Sequence, residues 1–241
     1  PLRSGSVSVL GTLADGTTFN VTADTSGHIN TSRVKGVVNY STGVIDLFFV
    51  KPAATGAQTP MDLSFLGIPG VSNVYLDRVR TETIRYNAVA YAYLPLDATI
   101  LGIDPVRLPS DGRVPIFRPG SIVVVGDTQS TAPQTVTTST VINTGRVRLS
   151  RVRLVGNDGN TINTGYTANL DAGTVSFTSV AGYMQPVHVE HRIEDMVQVR
   201  DAQINGDLTF TPALSHAYPV GARISSALIG ADLTARTSLL F

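Results

Sequence analysis

His188-Val189-Glu190-His191 brings three potential metal ligands into four residues. Alternate side chains of a strand share a face, so His188 and Glu190 would point one way and His191 the other. Helical zinc sites carry His at i and i+4 with Glu beside the first, and this spacing differs. The two histidines are therefore expected to be structural or hydrogen-bonding, with no metal bound. His28 and His216 fall in predicted loops without a ligand partner at motif spacing. Glu190, Glu194 and Asp195 offer the carboxylates of glycoside hydrolysis, which needs two acids about 5–9 Å apart across a cleft. Three acids close in sequence define no cleft, and glutamate occurs elsewhere only at Glu82. Asp111, Asp127, Asp158, Asp171 and Asp207 fall at predicted turns, where local hydrogen bonding explains them better than calcium. No catalytic, cofactor-binding or metal-ligating residue is assigned, and the chain reads as a non-enzyme without a cofactor.

Arg146, Arg148, Arg151 and Arg153 form the densest basic cluster. Nucleic-acid binding would need a broader basic field with aromatic stacking platforms. The nearest aromatic, Tyr166, lies a turn and a strand away. Two readings stay open: an edge strand guarded by charge, or arginines meeting acidic groups on a neighbouring subunit. Arg107, Arg113 and Arg118 form a second candidate interface within Asp104–Gly120. That stretch carries four prolines and two glycines, so no helix can run through it. Long connections of this kind are usually functional or interface elements. Its prolines order the backbone before docking, which reduces the entropy lost on assembly. Tyr75, Tyr86, Tyr91 and Tyr93 are the side chains that could serve a carbohydrate-binding alternative, although core packing is their commoner fate.

The elements that position these residues read as strands. Val34–Tyr40 and Val44–Val50 alternate around Ser41-Thr42-Gly43, a hairpin. Tyr166–Leu170 and Thr174–Val180 do the same around Asp171-Ala172-Gly173. Asn205-Gly206 is the strongest hairpin turn, because both residues tolerate positive φ. Val7–Leu10, Phe19–Thr22, Val74–Leu94, Ile122–Val125, Arg146–Val155, Leu208–Thr211 and Arg223–Ile229 are further predicted strands. Val187–Val199 starts extended. One helical turn is expected at Met61–Leu66, and Thr128–Thr144 reads as a polar loop or protruding hairpin. The fold class is all-β, mainly antiparallel, with tandem sandwich or barrel-like units and little helix. The expected division is a unit at 1–127 containing the 104–120 connection, the polar 128–144 segment, and a second unit at 145–241.

The chain of 241 residues is 42% hydrophobic and 15% charged, enough apolar residues for a core beneath an unusually neutral surface. Such a surface suits assemblies, because few charges need desolvation at subunit contacts. Eighteen basic and eighteen acidic residues cancel, so no global field draws the chain to nucleic acid or membrane. Cysteine is absent, which excludes disulfides, Cys-ligated zinc, iron–sulfur clusters and thiol nucleophiles. No apolar run approaches the ~18 residues of a membrane-spanning helix. The chain starts Pro-Leu-Arg-Ser and ends Ser238-Leu239-Leu240-Phe241; both ends read as cut, and a fragment of a longer chain is expected.

Tyr86-Asn87-Ala88-Val89-Ala90-Tyr91-Ala92-Tyr93-Leu94-Pro95-Leu96-Asp97 and Leu108-Pro109-Ser110-Asp111-Gly112-Arg113-Val114-Pro115-Ile116-Phe117-Arg118-Pro119-Gly120 carry a resemblance. They resemble a stretch in virion proteins of tailed bacteriophages, most closely tail-tip or baseplate components of long-tailed phages related to the transposable phages. His191-Arg192-Ile193-Glu194-Asp195-Met196 and His216-Ala217-Tyr218-Pro219-Val220-Gly221 are similar to later parts of the same pattern, which spans most of residues 30–240. The resemblance implies a structural, oligomeric role in the phage tail, contacts with other tail or baseplate proteins, and assembly in the host cytoplasm. It supplies no catalytic residues. A host-surface or glycan-binding module on the same particle is the alternative, and a glycoside hydrolase-like domain the third.

Overall fold

A computed structural model describes residues 1–92 and 117–234 together with the backbone of 94–95 and 113–114. Most of Asp104–Gly120, including Arg107, lies outside the described residues, as does the Arg113 side chain. Among the described residues there is no α-helix; one 3-10 turn at Ser64–Leu66 stands where a helical turn is expected. Among the described residues no helix is long and apolar enough to cross a membrane. The chain forms two compact units, Pro1–Ala90 with Ile229–Phe241, and Tyr91–Leu228. The expected division around 128–144 is not where the chain divides. Strands from both sides of that segment pair along nine residues and hold it within one unit.

The first unit contains β1 (Ser8–Leu13), β2 (Thr18–Thr22), β3 (His28–Asn30), β4 (Val34–Asn39), β5 (Val44–Lys51), β6 (Tyr75–Leu76) and most of β7 (Val79–Ala92). The pairings among β1 to β6, and of β1 with β7, are antiparallel: β1 lies between β2 and β7, and β3, β4, β5 and β6 follow in order. Alternation decides which face turns inward. Val9 and Leu13 on β1, Phe19 and Val21 on β2, and Ile84 and Ala88 on β7 bury against Ile29, Val34 and Val38 of the other sheet. A second apolar cluster seats Val50 with Leu63, Leu66, Ile68 and Val71 of the 61–74 excursion. The β4–β5 hairpin turns at Gly43, whose φ is 81°. The Asn39 side chain accepts hydrogen bonds from the backbone N–H groups of Ser41 and Thr42, closing that turn.

The second unit adds β8 (Leu94–Pro95), β9 (Arg113–Val114), β10 (Ile122–Ser130), β11 (Val141–Asn143), β12 (Arg151–Val155), β13 (Thr161–Ile162), β14 (Tyr166–Asn169), β15 (Thr174–Phe177), β16 (His188–Ala202), β17 (Leu208–Thr211) and the start of β18 (Arg223–Thr234). Its main sheet runs β13-β12-β16-β10-β18, with β17 also on β16, and a smaller sheet runs β11-β15-β14. Val152, Leu154, Val189 and Ile193 face Ile142, Val175 and Phe177 of the smaller sheet across a buried core. Val123, Val125, Val197 and Val199 continue the inner face toward Phe210 and Leu214. Fully burying one such side chain contributes roughly 1.5–3 kcal/mol, so alternation along β10 and β16 holds the layers together.

Two expectations are corrected here. Residues 128–144 are not a free polar loop: β10 continues to Ser130, and Val136 and Ile142 are buried. The Gln185 amide binds Val136 at both ends, accepting from its N–H at 2.6 Å and donating to its carbonyl at 2.7 Å. The strand expected from Arg146 starts only at Arg151, because Arg148 has a positive φ of 51° that breaks extended pairing. β16 pairs with β12 along Arg151–Val155, whereas β13 covers only Leu154 and Val155 on its other side.

Candidate functional site

The 15-residue β16 organises the polar groups of the second unit, because alternation sends its residues to two different chemistries. His191, Ile193, Asp195 and Val197 face the core. His188, Glu190, Arg192 and Glu194 face the other way, with Arg151 and Arg153 from β12 and Thr128 from β10 at matching register. Glu190 and Glu194 therefore lie on the face opposite Asp195, and these acids do not flank one cleft. His188 and His191 likewise diverge. Among the described residues no group of three His, Asp or Glu side chains is placed to hold a metal ion.

On the inner face, Asp195 receives four donors: Ser215 N–H at 2.8 Å, Ser215 O–H at 2.5 Å, His216 N–H at 3.1 Å and Tyr218 O–H at 3.1 Å. Burial pushes its carboxyl up, but the hydrogen bonds from Ser215 and His216 outweigh that and hold it below the ordinary carboxylate value. Burial and the Asp195 charge push the Tyr218 phenol well above its ordinary value. Ser, His and Asp meet here, but the wiring differs from a nucleophilic triad. There the serine and the carboxylate occupy different imidazole nitrogens. In this cluster Ser215 Oγ and Asp195 both approach His216 Nδ1, at 3.0 and 3.3 Å, and His216 Nε2 is buried without a partner. The serine donates directly to the carboxylate. The arrangement ties residues 215–218 onto the sheet, and Tyr218 O–H also reaches the Val125 carbonyl at 3.2 Å.

The four arginines expected to act together are split three ways. Arg146 turns inward and pairs with Asp127 at 2.5 Å, both side chains mostly buried. Asp127 is thus a strand residue of β10 holding a buried cation, where a turn role is expected from sequence. His191, 3% exposed, lies beside this pair. Burial, and then the Arg146 charge, lower its pKa below the ordinary value. Arg148 points elsewhere and donates to the Ser215 carbonyl at 2.5 Å. Arg151 and Arg153 remain on the outer face. Arg118, the described member of the second candidate interface, is exposed just before the turn at Pro119-Gly120.

Arg192 and Glu194 belong to this outer face, although the sequence cluster omits both. Arg192 Nε donates to Glu194 at 2.6 Å, Arg192 Nη1 donates to Thr128 at 2.9 Å, and Tyr91 O–H reaches Glu194 at 3.1 Å. Gly126 makes room for this: a Cβ there would collide with the Arg192 guanidinium. Arg153 pairs with Glu190 at 3.0 Å and donates to Thr161 at 2.7 Å. The readable signal was alternation itself, Arg-x-Arg on one strand and Glu-x-Arg-x-Glu on another. Of the tyrosines named for sugar binding, Tyr86 packs on the first unit's core and Tyr91 serves Glu194; Tyr93 lies outside the described residues. No protein-family model, curated protein or solved structure matches the chain.

Proposed function

We propose that this chain is a non-enzymatic structural subunit of a bacteriophage tail tip or baseplate, present in several copies and working by assembly. One observation carries the reading. Ile204 and Val220 are fully exposed β-branched side chains, each at the tip of a turn. They sit on separate turns: Ile204 on the turn between β16 and β17, and Val220 on the turn that precedes β18. Turn tips ordinarily take Gly, Asn, Asp or Ser, and an isoleucine there gains nothing for the fold. Apolar tips on two separate turns suit contacts with different neighbours, as a ring or stack of subunits requires. The low charge of the chain supports the same reading, because interface cores are depleted of charge. The resemblance to tail-tip and baseplate proteins supplies the particle.

The test is incorporation into particles. Charge reversal at Arg113 and Arg118, and separately Ile204→Asn with Val220→Asn, is expected to abolish or sharply reduce incorporation while the isolated chain melts as the parent does. Normal incorporation of both double variants sinks the assembly reading. Normal incorporation with lost adsorption to host cells instead favours a receptor-binding module.

A further inference from the structure

Arg151 stands directly across from Arg192 on neighbouring strands, with both side chains on the outer face. Like charges in directly opposed positions repel and destabilise a sheet. The nearby carboxylates Glu194 and Glu190 offset only part of this repulsion, because each is engaged elsewhere. Glu190 is engaged by Arg153, and Glu194, almost fully buried, is engaged by Arg192 and Tyr91. Arg151 is half-buried and makes neither a hydrogen bond nor an ion pair with any described residue. Its surroundings are hostile to charge, since burial and then the guanidiniums of Arg153 and Arg192 lower its pKa. An arginine nevertheless stays protonated in proteins. In these two rows three guanidiniums face two carboxylates, which leaves one positive charge without a partner.

We propose that Arg151, held between Arg153 and Arg192, is the docking point for a carboxylate on an acidic segment of a neighbouring protein subunit. The chemistry selects this occupant. A planar guanidinium fork matches a two-oxygen carboxylate, and one monoanion balances the one unpaired charge. A continuous run of charge such as a nucleic-acid backbone would meet Glu190, which stays partly exposed beside the site, whereas carboxylates spaced along a peptide can seat one at a time. The inference rests on the assembly reading and names the chemistry of one contact within it. It also narrows the basic cluster: Arg146 and Arg148 are committed inside the unit, and Arg192 takes part instead.

The experiment uses the isolated full chain at low ionic strength and a fluorescein-labelled peptide of alternating glycine and glutamate, read by anisotropy. The parent chain binds it, and Arg151→Gln weakens binding about tenfold, the scale of a lost charge-assisted hydrogen-bonded pair. Arg151→Lys, which keeps the charge but not the fork, loses less. Arg78→Gln, an equal change of charge on an exposed residue of the other unit, loses nothing. Because Arg151→Gln removes a repulsion, its Tm stays level or rises. The proposal fails if the parent does not bind the peptide, if Arg151→Gln binds it equally, or if that variant melts earlier. It also fails if inorganic phosphate or single-stranded DNA occupies the site more tightly than the peptide. Peptide binding by a chain that never enters a particle would sink the assembly reading and leave this site standing.

Discussion

Asp195 and His191 show how one strand face can carry opposite electrostatic demands. Asp195 is buried but supplied with donors, so its charged form is favoured despite the loss of water. Its folded pKa lies below the ordinary 3.8, so its stabilising contribution is present above that value and lost as pH falls through the folded pKa. Asp195→Asn cannot accept all four donors and should cost about 1–3 kcal/mol in urea unfolding at neutral pH. The same variant should show a shallower loss of stability on acidification. His191 faces Arg146 and Asp127, and its Nδ1 is buried without a partner. Its folded pKa is depressed from 6.5, so below about that pH the unfolded chain takes up a proton that the folded chain refuses. Stability should therefore fall as pH drops from 6.5 toward the folded value. The pH slope in that window should flatten in His191→Phe, measured by urea midpoints across the range, and an unchanged slope would remove His191 from the account.

The two hairpins β4–β5 and β14–β15 illustrate what an element owes to its turn and what it owes to its neighbours. Both use Asn four residues before Gly: the Asn39 side chain accepts from Ser41 and Thr42, and Asn169 accepts from Ala172 at 3.0 Å. Gly43 and Gly173 both have positive φ, which disfavours any side chain by about 1–2 kcal/mol. Their surroundings differ. A Cβ on Gly43 would meet only Leu2, at 4.0 Å, whereas on Gly173 it would run into the Arg146 carbonyl. Gly43→Ala should thus cost about 1–2 kcal/mol. Gly173→Ala should cost clearly more or prevent folding, because backbone on both sides would have to move. Equal costs in chemical denaturation would mean that the turn conformation alone sets the requirement.

Across the whole molecule, apolar burial and apolar exposure make separate predictions. Leu154 is fully buried in the second unit's core, and Leu154→Ala should cost about 2–5 kcal/mol in unfolding free energy. Ile204 and Val220 contribute no buried area, so replacing either with Asn should leave stability within about 0.5 kcal/mol. If these exposed substitutions were as destabilising as Leu154→Ala, the tips would belong to the fold and not to assembly. The contrast needs only melting and particle incorporation for the same set of variants.

The sequence by itself determined the β class, the hairpin turns and the inward faces, because these follow from local rules: positive φ at Gly, period-two alternation and the absence of long helical patterns. It also determined that His188 and His191 diverge. What it could not determine was which arginines share surroundings. Arg146, Arg148, Arg151 and Arg153 are neighbours along the chain, yet the positive φ at Arg148 and the partners Asp127, Ser215 and Arg192 send them to different places. Asp127 reads as a turn residue until β16 pairs beside it and Arg146 reaches it. The 128–144 segment reads as a polar loop until Gln185, far along the chain, captures Val136. Local backbone preference is written residue by residue. The pairing of charges depends on strand register between distant segments, and only the tertiary structure decides it.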